Sequence, residues 1–234
     1  MAQGGYHGRY LVINLTDHSW QAEALPEALM TKYIGGRGIG TRLLFDRQPG
    51  KIDPLSPESN LVIFTGPITG TNTPGSSRVV FICKSPLSNT INPASMGGSF
   101  PNALKRTGFD GLVIHGKADN PAYIKIENNT AEIKSAAHLK GQGAIAAREM
   151  LKDELGKSFR IVAVGPAGEN KVVFASLLAD ADSSGSGGLG AVMGGKNLKA
   201  IAVCGDQKVT VADSDRAGEL RKQIRKFKGV PAAM

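Results

Sequence analysis

The sequence predicts an α+β domain built on antiparallel or mixed β-sheets. Its apolar segments are mostly short and bounded by turn residues, which is typical of strands, and the helical stretches between them are few and short. Strands and helices do not alternate regularly, as they would around a doubly wound parallel sheet. Thirty of the 234 residues are glycine. Because glycine is used where the backbone turns sharply or approaches something closely, we expect a domain organised around turns or around a ligand.

The first half is predicted to open with a β-hairpin, from strands at Arg9–Asn14 and Trp20–Ala24. Pro26 can occupy the first turn of a helix that runs to about Tyr33. The glycine-rich segment 35–40 is expected to end this helix, and a second helical stretch follows through Phe45. Further strands are expected at 61–65, 78–83, 89–92 and 111–115, and a short helix at 100–106.

The second half contains the clearest predicted helix, at 143–155, where apolar residues recur at helical spacing. Strands are expected at 122–127, 131–134, 160–164, 172–178 and 199–203. A basic segment from about Asp213 is expected to be helical. We therefore divide the chain into one domain over residues 1–210 and, over 211–234, the start of a following domain that the chain lacks.

The formal net charge is +8, and much of the excess lies in the last stretch of the chain. This balance suits an anionic partner or simply a solvated basic surface, and both interpretations stay open. No basic motif interleaved with aromatic residues is present, so nucleic acid is not an expected partner. No apolar run approaches the roughly 18 residues of a membrane span, and no signal peptide opens the chain, so we expect a cytoplasmic protein.

The two cysteines, Cys83 and Cys204, lie inside apolar runs and are expected to be buried free thiols. No C-x-x-C motif exists, so the chain alone is not expected to assemble a cysteine-based zinc or iron–sulfur site. The four histidines are scattered without ligand spacing.

The glycine-rich segment 180–197 contains two apparent nucleotide-binding motifs. Gly185-x-Gly187-x-x-Gly190 matches a dinucleotide fingerprint, but we expect no strand directly before it and no room for a full helix after it. Residues 190–197 nearly match a phosphate-binding loop, except that Asn197 replaces the hydroxyl residue that would hold magnesium. Both interpretations are rejected. Consecutive glycines can still expose N–H groups to an anion, or form an empty flexible loop.

Two further segments have a similar composition. Pro74 to Arg78 places one arginine at the start of a strand, where it can fork onto a phosphate or remain a surface side chain. Ser95 to Gly98 precedes a short helix and is either an anion site or an ordinary turn.

Taken in order, eight segments resemble the aldehyde ferredoxin oxidoreductase family. They are residues 8–15, 53–58, 66–71, 84–87, 96–98, 104–110, 165–170 and 190–203. Each is weak alone, but their joint order and spacing are specific, and together they span nearly all of residues 6 to 205. The two apparent motifs are then parts of a family-specific loop.

This resemblance implies a pterin-cofactor-binding N-terminal domain made of two β-sheets related by a pseudo-two-fold axis. Tungsten or molybdenum, held by two pterin dithiolenes, would lie on it, with magnesium bridging the pterin phosphates. By position, Arg78 resembles the arginine that contacts a pterin. Ser95 and Gly97 resemble one half-site, and Asp182, Ser183 and Gly185 the other. The backbone carbonyls of Ser95 and Ser183 would bind magnesium, a role that does not depend on the side chain.

The resemblance also implies the activity. The family oxidises aldehydes, or related oxo or acyl substrates, and passes electrons through a [4Fe–4S] cluster to ferredoxin or a small iron–sulfur subunit. The cluster ligands and the groups around the substrate belong to a C-terminal part, or a partner chain, that is missing here. We therefore assign no catalytic residue, expect the isolated chain to be inactive, and include a homodimer among the expected assemblies.

Two departures from the family keep an alternative open. Well-known members have asparagine at the position of Ser95 and arginine at those of Asp182 and Ser186. An aspartate beside a pyrophosphate repels it, so either other basic residues compensate or the cofactor lies differently. The alternative is a non-catalytic remnant that binds a phosphorylated ligand or a protein partner.

Overall fold

The computed structural model describes residues 4–48, 50–180 and 183–227, and it contains two halves of six strands each. The elements of the first half are β1 (Arg9–Asn14), β2 (Ser19–Ala24), α1 (Glu27–Tyr33), α2 (Gly36–Arg47), β3 (Leu61–Thr65), β4 (Val79–Lys84), β5 (Ile91–Met96), α3 (Phe100–Arg106) and β6 (Gly111–His115).

The second half begins with β7, and a further helix follows it. Its elements are β7 (Ala122–Glu127), β8 (Thr130–Ser135), a 3₁₀ turn (Ala137–Leu139), α4 (Ala144–Leu155), β9 (Arg160–Ala163), α5 (Pro166–Glu169), β10 (Leu177–Leu178), β11 (Ser184–Gly185), α6 (Leu189–Gly195) and β12 (Leu198–Cys204). The basic segment after it forms α7 (Ser214–Lys226). Within the described ranges, no helix has both the length and the apolar character that crossing a membrane requires.

The two sheets have the same topology. The first has the strand order β2-β1-β6-β3-β4-β5, and the second, taken from its other end, has β8-β7-β12-β9-β10-β11. In each sheet the first and last strands of the half form the only parallel pair, β1 with β6 and β7 with β12. The other pairs are antiparallel. The prediction of two mixed sheets is therefore confirmed, and the repeated topology agrees with a pseudo-two-fold relation.

The largest core lies between the sheets. Leu11 and Ile13 of β1 point into it from the first sheet, and Ile201 and Val203 of β12 from the second. Helices α3 and α6, which occupy equivalent places in the two halves, contribute to the same cluster and contact strands of both sheets. They form the central layer of the domain.

Each sheet also carries helices on its outer face. Tyr10 and Val12 pack with α2, while α4 covers the outer face of β9 and β12. Strands buried on both faces have no polar side to present to water, so their sequences are continuous apolar runs. Strand β3 is the clearest case, since all five of its residues are buried.

Two predicted boundaries were wrong in the first half. Helix α2 begins at Gly36, inside the glycine stretch that we expected to separate the helices. A side chain at Gly40 would collide with Ile82, so this glycine allows α2 to pack closely on β4. Strand β5 extends to Met96, and Ser95 therefore belongs to a strand paired with Val80, not to a turn.

In the second half, the predicted strand at 172–178 was wrong except for its last two residues. The backbone of the remaining residues forms hydrogen bonds outside the sheet. The carbonyl of Ala175, for example, accepts a hydrogen bond from Gly190 N at the start of α6, at 2.9 Å. We expected no room for a full helix after the glycine fingerprint; a short helix of seven residues, α6, forms there and runs through Gly194 and Gly195, which we expected to interrupt the segment.

The two cysteines differ more than expected. Cys83 is fully buried, and burial raises the pKa of its thiol to about 12. Cys204 lies at the end of β12 and is only partly buried, which corrects the expectation for this residue. Burial raises the pKa of Cys204 as well, with Glu127 adding to the shift.

We expect alkylation to separate the two thiols. The thiolate is the nucleophile, and a pKa of about 12 leaves only about one Cys83 in ten thousand ionised at pH 8. Treatment of the folded chain with iodoacetamide at pH 8, followed by peptide mass spectrometry, should label Cys204 and leave Cys83 unmodified until urea unfolds the protein. Equal labelling rates in the folded chain would contradict this environment for Cys83.

Candidate functional site

The glycine loops singled out in the sequence occupy equivalent places in the two halves. Gly97-Gly98 follows β5 and precedes α3, while Gly187-Gly188 follows β11 and precedes α6. Strands β5 and β11 are the edge strands of their sheets, and they contact each other. The fold therefore brings the two loops to one place, which we call the joint: the described residues 92–99, 179–180 and 183–188, with the segment 76–78 beside them.

Hydrogen bonds connect the two halves along the joint. Gly97 N donates to Ser183 Oγ at 2.9 Å. Asn92 Nδ2 donates to the carbonyl of Ser186, also at 2.9 Å. Farther along, Ser85 Oγ donates to the carbonyl of Gly187 at 2.7 Å. Edge strands leave unpaired backbone groups, and side chains of the opposite half satisfy some of them here.

The backbones approach most closely at Gly98. Its φ is +85°, in the left-handed region, and a Cβ at this position would lie 2.9 Å from the carbonyl oxygen of Asp180. Only glycine meets both demands without strain. The carbonyl of Gly98 in turn accepts a hydrogen bond from Ser77 Oγ.

Arg78 lies at the same joint and is exposed. Its Nη1 would be 3.3 Å from a Cβ at Gly97, so the absence of a side chain there leaves room beside the guanidinium. Across the described ranges, no carboxylate forms an ion pair with Arg78. Among the described residues, the guanidinium of Arg78 therefore has no carboxylate that neutralises it.

Three of the six residues named from the sequence are in direct proximity, namely Arg78, Gly97 and Ser183. Ser95 is exposed on β5, two residues before Gly97. Gly185 is buried, and a Cβ there would contact Leu177 and Leu189. Asp182 lies outside the described residues.

Sequence reasoning missed three charged residues next to the second loop. Lys152 Nζ pairs with Asp180 Oδ1 at 2.5 Å, and Arg148 donates to the carbonyl of Ala179. Arg148 and Lys152 belong to the clearest predicted helix, but only the fold shows that their face meets the loop. The spacing of four residues was the available signal, since it places both cations on one face of a helix.

The apparent phosphate-binding motif at 190–197 is a packing motif. Lys196 is 1 % exposed, and its Nζ donates to backbone carbonyls of Pro57, Ser59 and Gly116. A side chain at Gly194 would collide with the carbonyl of Gly168, so α6 and α5 pack backbone to backbone. The rejection of a nucleotide-binding loop therefore has a structural basis.

The joint can bind a ligand through backbone polar groups and through Arg78, whose guanidinium pairs with no carboxylate where the structure is described. Within the described part of the chain, no group of three or more histidine, cysteine, aspartate or glutamate side chains is placed to hold a metal ion. The assignment of magnesium to the backbone carbonyls of Ser95 and Ser183 does not require such a group and stays a prediction.

Comparison with known proteins gives a consistent result. The family model for the aldehyde ferredoxin oxidoreductase N-terminal domain matches residues 10–205. The chain is 43% identical over 232 residues to a tungsten-containing aldehyde ferredoxin oxidoreductase of Pyrococcus horikoshii, covering 98% of this chain and 38% of that protein. A protein of the same description from Pyrococcus furiosus is 40% identical over the same coverage. The chain thus spans little more than a third of these relatives.

A solved structure extends the likeness to the fold. The chain is similar to the active-site complex BamBC of benzoyl coenzyme A reductase, determined with 1,5-dienoyl-CoA. The TM-score is 0.93 at 34% identity, over 100% of this chain and 37% of the other. The expected fold, two mixed sheets with short helices, is the fold of this relative.

We expect Lys196→Met to destabilise the fold by about 2–4 kcal/mol, because three buried carbonyls would lose their donor. The free energy of unfolding is measured by urea titration, with the exposed Lys140→Met as the control. Burial lowers the pKa of Lys196 to about 8, with Glu58 opposing the shift. Between pH 8 and 10.5 the unfolded chain then binds more protons, so stability due to this lysine rises with pH.

The gap between wild type and Lys196→Met should therefore widen from pH 8 to pH 10. A loss no larger than that of Lys140→Met, or a gap that narrows over this range, would show that Lys196 does not hold the carbonyls as described.

Gly98→Ala should destabilise the chain more than Gly141→Ala. Both positions have left-handed φ, +85° and +77°, so both variants carry a conformational cost of about 1–2 kcal/mol. Gly141 has open space around it, whereas a methyl at Gly98 would press on the Asp180 carbonyl. Equal losses in urea unfolding of the two variants would mean that the halves are not closely apposed at Gly98.

Proposed function

Because the chain belongs to the aldehyde ferredoxin oxidoreductase family through its N-terminal domain, we propose that it is the cofactor-binding portion of a tungsten- or molybdenum-pterin oxidoreductase. Residues 1–210 would form the pterin-binding domain, and 211–234 the start of the domain that follows it. The relatives are more than twice as long as the chain, so the complete activity requires residues beyond those present here.

The observation that carries the proposal is the exposed guanidinium of Arg78 beside Gly97, at the joint of the two halves, which pairs with no carboxylate of the described residues. A phosphate-bearing pterin needs a cation that no carboxylate already neutralises, and guanidinium can bind phosphate with two hydrogen bonds. The missing side chain at Gly97 leaves space beside that cation, and Ser95 is exposed on the neighbouring strand β5. The residues present therefore fit an anionic ligand.

In this proposal Arg78 binds a pterin phosphate, and the backbone at Ser95, Gly97, Ser183 and Gly185 lines the two half-sites. The carbonyls of Ser95 and Ser183 would bind the magnesium that neutralises the phosphates. Asp182, in the same loop, would need nearby cations to offset its charge. The protein's own contribution is binding and orientation; the metal–pterin cofactor supplies the two-electron redox chemistry.

The reaction assigned to the complete protein is oxidation of an aldehyde, or of a related oxo or acyl substrate, in the cytoplasm. Electrons would pass through a [4Fe–4S] cluster held by a C-terminal part or a partner chain to ferredoxin or a small iron–sulfur subunit. This part of the proposal draws support from the relatives, which are described as tungsten-containing aldehyde ferredoxin oxidoreductases.

We expect the chain purified from its native host to contain tungsten or molybdenum with two pterins per chain. Elemental mass spectrometry measures the metal, and fluorescence of the oxidised pterin measures the cofactor. Iron should be present only in fractions where a partner chain co-purifies, because the cluster ligands are assigned to that partner. A folded chain with no metal and no pterin, from a host that makes the cofactor, would favour the non-catalytic remnant.

Arg78→Ala provides the site-specific arm of this experiment. Loss of the guanidinium should lower the pterin content per chain, while Arg225→Ala, which removes an exposed arginine from α7, should leave it unchanged. Equal pterin content in both variants would exclude Arg78 as a cofactor contact.

A further inference from the structure

Three charged side chains, two of them buried, connect α4 to the second half-site. Arg148 and Lys152 lie one turn apart on α4, and both reach the segment that enters the loop between β10 and β11. Arg148 is 8 % exposed and donates to the carbonyl of Ala179. Lys152 pairs with the carboxylate of Asp180, whose side chain is 9 % exposed. The side chain of Lys152 is 33 % exposed, so the pair is buried on its carboxylate side and partly open to water on its ammonium side.

The carboxylate of Asp180 reaches both halves of the protein. Its Oδ1 accepts from Lys152, while its Oδ2 lies 3.4 Å from Ile161 N and 3.5 Å from Ser99 Oγ. Ile161 belongs to the second half, and Ser99 opens α3 in the first. The carboxylate of Asp180 is therefore in contact with residues of both halves.

A backbone hydrogen bond connects this anchored segment to Ser183. Ala179 N donates to the carbonyl of Ser183 at 2.7 Å, which joins the residue before Asp180 directly to Ser183. Ser183 Oγ then accepts from Gly97 N across the joint. The contacts thus run without interruption from α4, through Ala179 and Asp180, to the backbone of the first half-site.

We infer that Lys152, Asp180 and Arg148 are positioning residues that set the second half-site loop against Gly97 and so fix the distance between the two half-sites. As far as it concerns a ligand, this inference rests on the proposed function, because two half-sites can share one cofactor only at a defined spacing. The three residues need not touch the ligand. Their contribution is to keep Ser183 in place, as ordered supporting contacts keep binding groups in productive geometry.

The test compares Lys152→Met with Lys199→Met. Lys199 is also an ion-paired lysine of the second half, but its partner is Glu169 and it donates to the carbonyl of Gln142, away from the joint. Amide hydrogen exchange on the purified chain, read by NMR, should show about a tenfold or greater loss of protection at Gly97 in Lys152→Met only. The amide of Ile63 in the core strand β3 serves as the internal reference and should be unchanged in both.

A merely structural lysine would lower protection everywhere, or equally in both variants, and that result would overturn the inference. Lys152→Arg, which keeps a cation opposite Asp180, should restore protection at Gly97. Asp180→Asn removes the opposite partner and should reproduce the loss, which keeps the test decisive if Lys152→Met does not fold. Unchanged protection at Gly97 in Asp180→Asn would also overturn it.

Pterin content, measured on the same variants from the native host, separates this inference from the proposed function. Wild type with pterin, and Lys152→Met with less pterin and an unprotected Gly97, supports both. Wild type without pterin, but with the expected exchange pattern, would overturn the proposed function and leave the anchoring role standing. Normal pterin content together with normal Gly97 protection in Lys152→Met would overturn the positioning role alone.

Discussion

The domain depends on the contact between two sheet edges, β5 and β11. An edge strand exposes N–H and C=O groups that its own sheet does not satisfy, and two such edges cannot be packed together without partners for those groups. Here the partners come from the opposite half: Ser183 accepts from Gly97 N, and Asn92 donates to Ser186. The remaining space is so small that Gly98 has to be glycine. Everything placed at the joint, including the exposed Arg78, takes its position from this contact.

The repeated topology explains why the joint exists. Each half ends with a loop, a short helix and a strand parallel to the first strand of that half. When two copies of this arrangement share a core, helices α3 and α6 meet in the central layer, and the loops that precede them become neighbours. The shared core therefore makes the two glycine loops neighbours, and hydrogen bonds such as the one from Gly97 N to Ser183 Oγ then join them. It also explains the glycines of α6, whose low helix propensity is overcome by tertiary packing.

Strands β1, β3 and β12 were predictable from local sequence, because burial leaves a continuous apolar run. Helix α4 was predictable because its apolar residues recur at helical spacing. The wrong predictions concern elements whose structure depends on backbone contacts and not on side-chain patterns. Strands β10 and β11 have only two residues each, and helix α6 is rich in glycine. The cofactor-binding roles of Arg78 and Gly97 were predicted from the family resemblance. The pair of Lys152 and Asp180 joins residues 28 positions apart and left no local signal, because no periodic pattern links them.

The two half-sites, although equivalent in topology, differ in charge. The first presents Arg78, which is exposed and pairs with no carboxylate in the described part of the chain. Beside the second, two cations of α4, Arg148 and Lys152, face one carboxylate, Asp180, so the described groups there also leave an excess of one positive charge. Arg148 further has a buried Nε without a hydrogen-bond partner among the described residues. Asp182 follows Asp180 by two positions in the sequence and adds a second carboxylate to this loop. For the binding role proposed for the loop, Arg148 and Lys152 are the described cations that can offset this negative charge.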